Sequence, residues 1–381
     1  MFSSRLKFDL RPNPLSRLLA EKRRARENVL DLTESNPTRA GFVYPEREIL
    51  EALSDPALLH YDPAPRGLLS AREAVSRYYA GRGIDTSASR LVLTASTSEA
   101  YAYLFKLLAD PGDEVLVPRP SYPLFEFLAA MESVVVQPYS LRYDGAWHLD
   151  FESLERAVTE RTCAVVVVNP NNPTGSFLKR EEARRLDEFA ARHRIAILDD
   201  EVFSDYAFAK APAAAFPGAA PVFTMSGLSK IAGLPQMKLG WIAASGPGSE
   251  ESLEQLEWIA DTYLSVSTPV QIALPRLLDL VVGIRAQIRE RTAANLARLR
   301  ERVEGSPVGV LNTEGGWSAI LQVPRTHSEE EWAMTLLRER DALVQPGFFY
   351  DFELEGFLVL SLLTEPATFI EGVRRILDVI A

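Results

Sequence analysis

The stretch CAVVVVNPNNPTG (163–175) decides the fold. Its apolar residues run on from Cys163 to Val168 without polar alternation, which suits a strand covered on both faces, and the valines are stiff residues that favour extended backbone. The Asn, Pro and Gly that follow break the strand into a turn. Similar runs lie on either side: RLVLTAS (90–96), DEVLVP (113–118), IAILDDEVF (195–203), PVFTMS (221–226) and LGWIAAS (239–245), separated by helical patterns. That alternation predicts an α/β fold, a three-layer, doubly wound, mostly parallel sheet with helices on both faces. Ligands in such sheets gather beyond the carboxyl ends of the strands. The polar segments STSEAY, NPNNPTG, DDEVF and SGLSK all stand at such ends.

Downstream, the polar–apolar pattern over 249–305 reads as helices leaving the sheet. GGWSAILQVP (315–324) and GFLVLSLL (356–363) then read as strands of a second, smaller α+β domain, closed by the amphipathic helix FIEGVRRILDVI (369–380). The N-terminal arm is expected to join it, which gives a large domain of 46–285 and a small one of 1–45 plus 286–381. A chain of 381 residues, 47% hydrophobic and 24% charged, is long enough for both. The net charge of −11 argues against a nucleic-acid partner, and LLAEKRRAREN reads as a solvated helix face. No stretch approaches the roughly 18 apolar residues of a membrane span, and the first residues hold no signal core, so the expected location is cytoplasmic. The sole cysteine, Cys163, excludes an intrachain disulfide and reads as a structural thiol; the four histidines lack metal-ligand spacing.

Four groups at the strand ends carry chemistry. Lys230, after Ser229, is an amine able to form an imine. Asp200, after the apolar run IAIL, is a carboxylate placed in a partly dry site, where an unpaired anion is costly. Asn172 in the NPNNPTG turn offers an amide, and its bond to Pro173 is a place for a cis peptide. Ser96, Thr97 and Ser98 open the helix EAYAYLFKLL, where free N–H groups and hydroxyls suit either a helix cap or a phosphate. A phosphate cup, an amide, a carboxylate and an amine in this order along the chain resemble the aspartate aminotransferase family, the class I/II aminotransferases among fold type I pyridoxal phosphate enzymes. The resemblance runs over essentially the whole chain.

The resemblance implies a pyridoxal phosphate-dependent aminotransferase, with Lys230 holding the cofactor as a Schiff base and Asp200 keeping its pyridine nitrogen protonated. It further implies that Asn172 reaches the ring oxygen, Tyr122 stacks on the ring, Ser96 to Ser98 hold the phosphate, and Asn36 lies beneath the substrate. Tyr61, in HYDPAPRG (60–67), and STPVQ (267–271) match regions that approach a second subunit, which implies a homodimer with shared sites. Three positions depart from the family. Phe203 replaces the tyrosine of D-E-x-Y, for which Tyr206 compensates only if a helical turn points it inward; Lys238 replaces a phosphate-binding arginine; and Val359 stands where the arginine for the substrate's α-carboxylate is expected. Either Arg39 or Arg66 takes over from that last residue, or the preferred donor lacks an α-carboxylate; Trp317 and Tyr350 are candidate pocket walls. Two other readings share the cofactor: a β-eliminating carbon–sulfur lyase, and a non-catalytic binding module, which would ordinarily carry a DNA-binding extension that this sequence has no room for.

Overall fold

The computed structural model describes residues 3–6, 8, 11–209 and 216–380. Eight strands form the central sheet: β1 (Leu91–Thr94), β2 (Glu114–Arg119), β3 (Val135–Tyr143), β4 (Trp147–Leu149), β5 (Thr162–Val168), β6 (Ala196–Asp200), β7 (Val222–Gly227) and β8 (Gly240–Ser245). Their spatial order is β1-β8-β7-β6-β5-β2-β3-β4. The stretch from β7 across to β3 is parallel; β8 runs antiparallel to both of its neighbours, and β4 antiparallel to β3. Helices cover both faces, so Ala196 and Leu198 pack on one side while Ile197 packs on the other. The expectation of a doubly wound, mostly parallel sheet is met.

A four-stranded antiparallel sheet carries Ser318–Gln322 and Phe357–Ser361 side by side, with Ser318 opposite Ser361 and Ile320 opposite Val359. The N-terminal arm reaches this part of the molecule by pairing Leu30–Asp31 with Ala342–Leu343. A single helix, Thr268–Val303, spans 36 residues and links the two parts. Its first half packs Val270, Leu274 and Leu277 against Tyr79 and Trp241, and its last turns pack Leu296, Leu299 and Val303 into the core of the smaller sheet. A division at residue 285 therefore falls inside a continuous helix.

Candidate active site

Strand β6 ends at Asp200, whose neighbours Ala196 and Leu198 on the same face are fully apolar. The carboxylate is buried; its Oδ2 accepts from the Tyr101 hydroxyl at 3.0 Å and its Oδ1 from the Val202 N–H at 3.2 Å. Burial pushes the Asp200 pKa up to about 6, although both donors favour the anion and the nearby Lys230 cation does too. Lys230 lies in the four-residue helix Leu228–Ile231 that follows β7. Its Nζ stands 5.0 Å from the centroid of the Trp317 ring and 5.6 Å from that of Phe203. Burial lowers the pKa of the amine, and the Asp200 carboxylate opposes that shift. The site thus sets an amine whose pKa is lowered beside a carboxyl whose pKa is raised, two groups shifted toward one another as proton transfer requires.

The phosphate-cup expectation falls on the N-terminus of helix Thr97–Leu108. Ser96 is extended, and its Oγ accepts from the Glu99 N–H at 3.2 Å, a regular N-cap. By their place in the first turn, the Thr97 and Ser98 N–H groups have no acceptor within the helix. Glu99 turns back to accept from the Ala95 N–H and the Ser265 hydroxyl. Gly240 brings this loop onto the lysine segment: a Cβ there would lie 3.0 Å from the Ser226 carbonyl oxygen and 3.1 Å from the Ser96 carbonyl carbon. Lys238, two residues earlier, is exposed and adopts a left-handed backbone at φ 50°.

Asn172 is joined to Pro173 by a cis bond, as the sequence allowed. Its Oδ1 accepts from the Ser318 hydroxyl at 3.0 Å, so the amide is oriented by the smaller sheet with its Nδ2 donor left for another group. Tyr122 is half exposed, after the Ser121 hydroxyl bonded to Asn171. Trp317 is buried, edge-on to both Phe203 (5.2 Å) and Tyr206 (5.1 Å). Tyr350 is buried and bonds Gln345. Cys163 donates to the Glu114 carbonyl and its thiol is pushed up to about 11 by burial, a poor nucleophile.

The arginine candidates separate. Arg66 places its Nε 2.6 Å from a Glu257 carboxylate oxygen while one Nη donates to the Ser89 carbonyl beside β1, so its charge is already countered there. Arg39 is exposed at the end of the turn Pro37–Arg39, whose Asn36 side chain accepts from Thr38. This strip adjoins the site, because Ser361, opposite Ser318, donates to the Glu34 carbonyl at 2.5 Å. Val359 is buried among Trp147, Ile320 and Tyr350.

Sequence reasoning missed three contributors. Tyr101 stands one turn into the helix opened by Ser96, a position that faces the sheet, and this was the readable signal. Ser318 follows Trp317 but only the folded register brings it to Asn172. Arg291, 4.4 Å over the Phe42 ring and bonded to the Ala40 and Leu363 carbonyls, clips the N-terminal strip to the C-terminal segment and had no local signal.

A family model described as aminotransferase class I and II matches residues 27–376. The chain belongs to that family. It is 30% identical to the glutamate-pyruvate aminotransferase AlaA of Escherichia coli strain K12 over 271 residues, 68% of this chain and 67% of the relative. It is 32% identical to nicotianamine aminotransferase 1 of Oryza sativa subsp. japonica over 266 residues, where the match spans 66% of this chain but only 53%, about half, of the rice protein. Among solved structures, the alanine aminotransferase from Pyrococcus furiosus superposes over 100% of this chain and 99% of its own, with a TM-score of 0.88 at 24% identity, which shows the same fold. N-Succinyldiaminopimelate aminotransferase from Mycobacterium tuberculosis covers 100% of both chains at 25% identity and a TM-score of 0.85.

The Phe203 departure has a measurable consequence. The Tyr206 hydroxyl is committed to the Lys230 carbonyl at 2.6 Å, so it does not substitute for the missing phenol at 203. Phe203→Tyr should add a donor beside Lys230. In cofactor-loaded protein the midpoint of the pH-dependent absorbance should fall by about one unit, because a donor to the ring oxygen favours the deprotonated form. An unchanged midpoint would mean that the oxygen is already satisfied.

Proposed function

We propose that this chain moves an amino group from an amino acid to a 2-oxo acid, with pyridoxal 5'-phosphate held on Lys230. The observation that carries the reading is a half-buried amine and a buried carboxylate, Lys230 and Asp200, at adjacent strand ends and close enough for each charge to act on the other, in a member of the aminotransferase family. The residues fit the cofactor: Asp200 suits its pyridine nitrogen, the helix start at Ser96–Ser98 with Lys238 its phosphate, and the Asn172 Nδ2 its ring oxygen. Bound there, the cofactor supplies a cationic ring that accepts the electron pair released when the substrate Cα loses its proton. Lys230 Nζ takes that proton and returns it; burial lowers its pKa, in the direction that favours the neutral amine this role needs. Trp317 and Phe203 exclude water on one side of the amine, and Tyr122 closes the other as a stacking ring.

The assembly in this reading is a homodimer with shared sites. Exposed apolar side chains, Leu59 at 82%, Tyr61 at 74% and Trp258 at 76% on helix Ser249–Tyr263, support an assembly in which Tyr61 reaches the phosphate end of a second copy's site. Small-domain limits of 1–45 and 286–381 and a cytoplasmic location belong to the same proposal; no described helix is long and apolar enough to cross a membrane. Incubation with an amino acid and pyruvate or 2-oxoglutarate tests the function. Amino transfer that depends on the 2-oxo acid supports it; ammonia and pyruvate released from a cystathionine-like substrate without a 2-oxo acid would replace it by β-elimination.

With Val359 buried, Arg39 is the residue proposed to hold the α-carboxylate. Arg39→Ala should lower kcat/KM for an α-amino acid by roughly tenfold to a hundredfold, the worth of one charged bidentate contact, and spare the decarboxylated amine. Arg66→Ala should leave the acid-to-amine ratio unchanged. Equal turnover of acid and amine by the unmodified enzyme would show that no clamp exists.

A further inference from the structure

The turn Ser204–Tyr206 delivers a phenol that the chemistry above does not use. Tyr206 is fully buried. Its hydroxyl donates to the Lys230 carbonyl at 2.6 Å, its carbonyl accepts from the Gly316 N–H at 3.0 Å, and its ring stands edge-on to Trp317. Trp317 is also the ring nearest the Lys230 amine. One residue therefore bonds the backbone that carries the amine and the segment of the smaller sheet that walls it.

Lys230 needs such support. Its helix has four residues and starts at Gly227, with no side-chain cap, and a helix that short has little stability of its own. The turn that supplies the support is itself anchored: Asp205 accepts from the Tyr78 hydroxyl at 3.0 Å and from Arg285 at 2.7 Å, with Arg82 at 4.0 Å. A phenol buried merely for packing has no need to find its acceptor on the one residue whose side chain does the chemistry. We propose that Tyr206 is a positioning residue that ties the Lys230 backbone to the Gly316–Trp317 segment, so that the amine keeps its place relative to the smaller domain.

The inference rests on Lys230 as the cofactor lysine. Tyr206→Phe keeps the ring and removes the bond. With one net hydrogen bond at stake, kcat should fall about fivefold while KM stays within about twofold, since the substrate is not touched. A loosened Lys230 lets Nζ reach water, so the absorbance midpoint of the cofactor-loaded protein should rise. The charged group acting on the amine is Asp200; Asp205, Arg285, Tyr78 and Tyr44 bear on the phenol and are the same in both proteins. Incorporation of 3-fluorotyrosine at 206, a stronger donor of nearly the same shape, should move the midpoint the opposite way, and it serves if the Phe variant folds poorly. Unchanged kcat and midpoint, or a change confined to KM, would overturn the proposal. Borohydride labelling keeps the two readings apart: label away from Lys230 sinks the cofactor assignment, whereas label on Lys230 with no midpoint change sinks only the role of Tyr206.

Discussion

Replacement of Lys230 by alanine should reduce amino transfer by at least about a thousandfold, because in the proposed mechanism it removes both the covalent hold on the cofactor and the group that moves the substrate Cα proton. Two roles in one side chain make the loss larger than either alone. Borohydride reduction of cofactor-loaded protein, followed by peptide mass analysis, should place a pyridoxyl group on Lys230 in the parent and on no residue of the variant. Lys238 is the alternative to watch, since it is exposed eight residues on and can react with the aldehyde. Label on Lys238 with activity intact in Lys230→Ala would discard the assignment. Added methylamine offers a second check: partial recovery in Lys230→Ala would show that the missing amine, and not a damaged fold, limits the reaction.

Asp200→Asn should divide activity and stability in opposite directions. Turnover should fall by roughly a hundredfold or more, because an amide does not favour the cationic ring as a carboxylate does. The cofactor-free protein should instead gain stability. Burial raises Asp200 from 3.8 to about 6, so the folded state prefers the protonated acid. Below about pH 4 the group is protonated whether the chain is folded or not, and the wild type carries no penalty relative to asparagine. As pH rises from about 4 to 6, the unfolded chain ionises first and the penalty grows. Above pH 6 it levels off, at roughly 3 kcal/mol for a shift of about two pH units. Denaturant titrations of both cofactor-free proteins at pH 4 and pH 7.5 would measure this. A difference independent of pH would show that Asp200 is not the strained group.

The sheet was legible because buried parallel strands must be apolar along their whole length, and β5 and β6 announce themselves as VVVV and AIL. Strands β3 and β4 were not, since Val135–Tyr143 is half polar and lies near the sheet edge, where solvent relaxes that demand. At the site, Lys230, Asp200 and Asn172 could be placed because each sits at the end of such a strand. Ser318, Arg291 and the Tyr206 bond could not, because their partners lie 146, 72 or 251, and 24 residues away and depend on register between separate elements. Arg66 shows the converse: its sequence context suggested a free clamp, and its side chain is paired with Glu257 instead.

The 36-residue helix Thr268–Val303 has a consequence for how the molecule can be divided. Near its middle, Ile284 and Ile288 pack into the same cluster as Phe203, Tyr206 and Trp317, so between its two ends the rod passes beside the rings that flank Lys230. Cutting the gene at that point to express two halves would sever a ladder of hydrogen bonds and expose both cores and the site at once. Duplication, fusion or swapping of this enzyme must respect the rod as one indivisible part, and grafts are better tolerated at its tips.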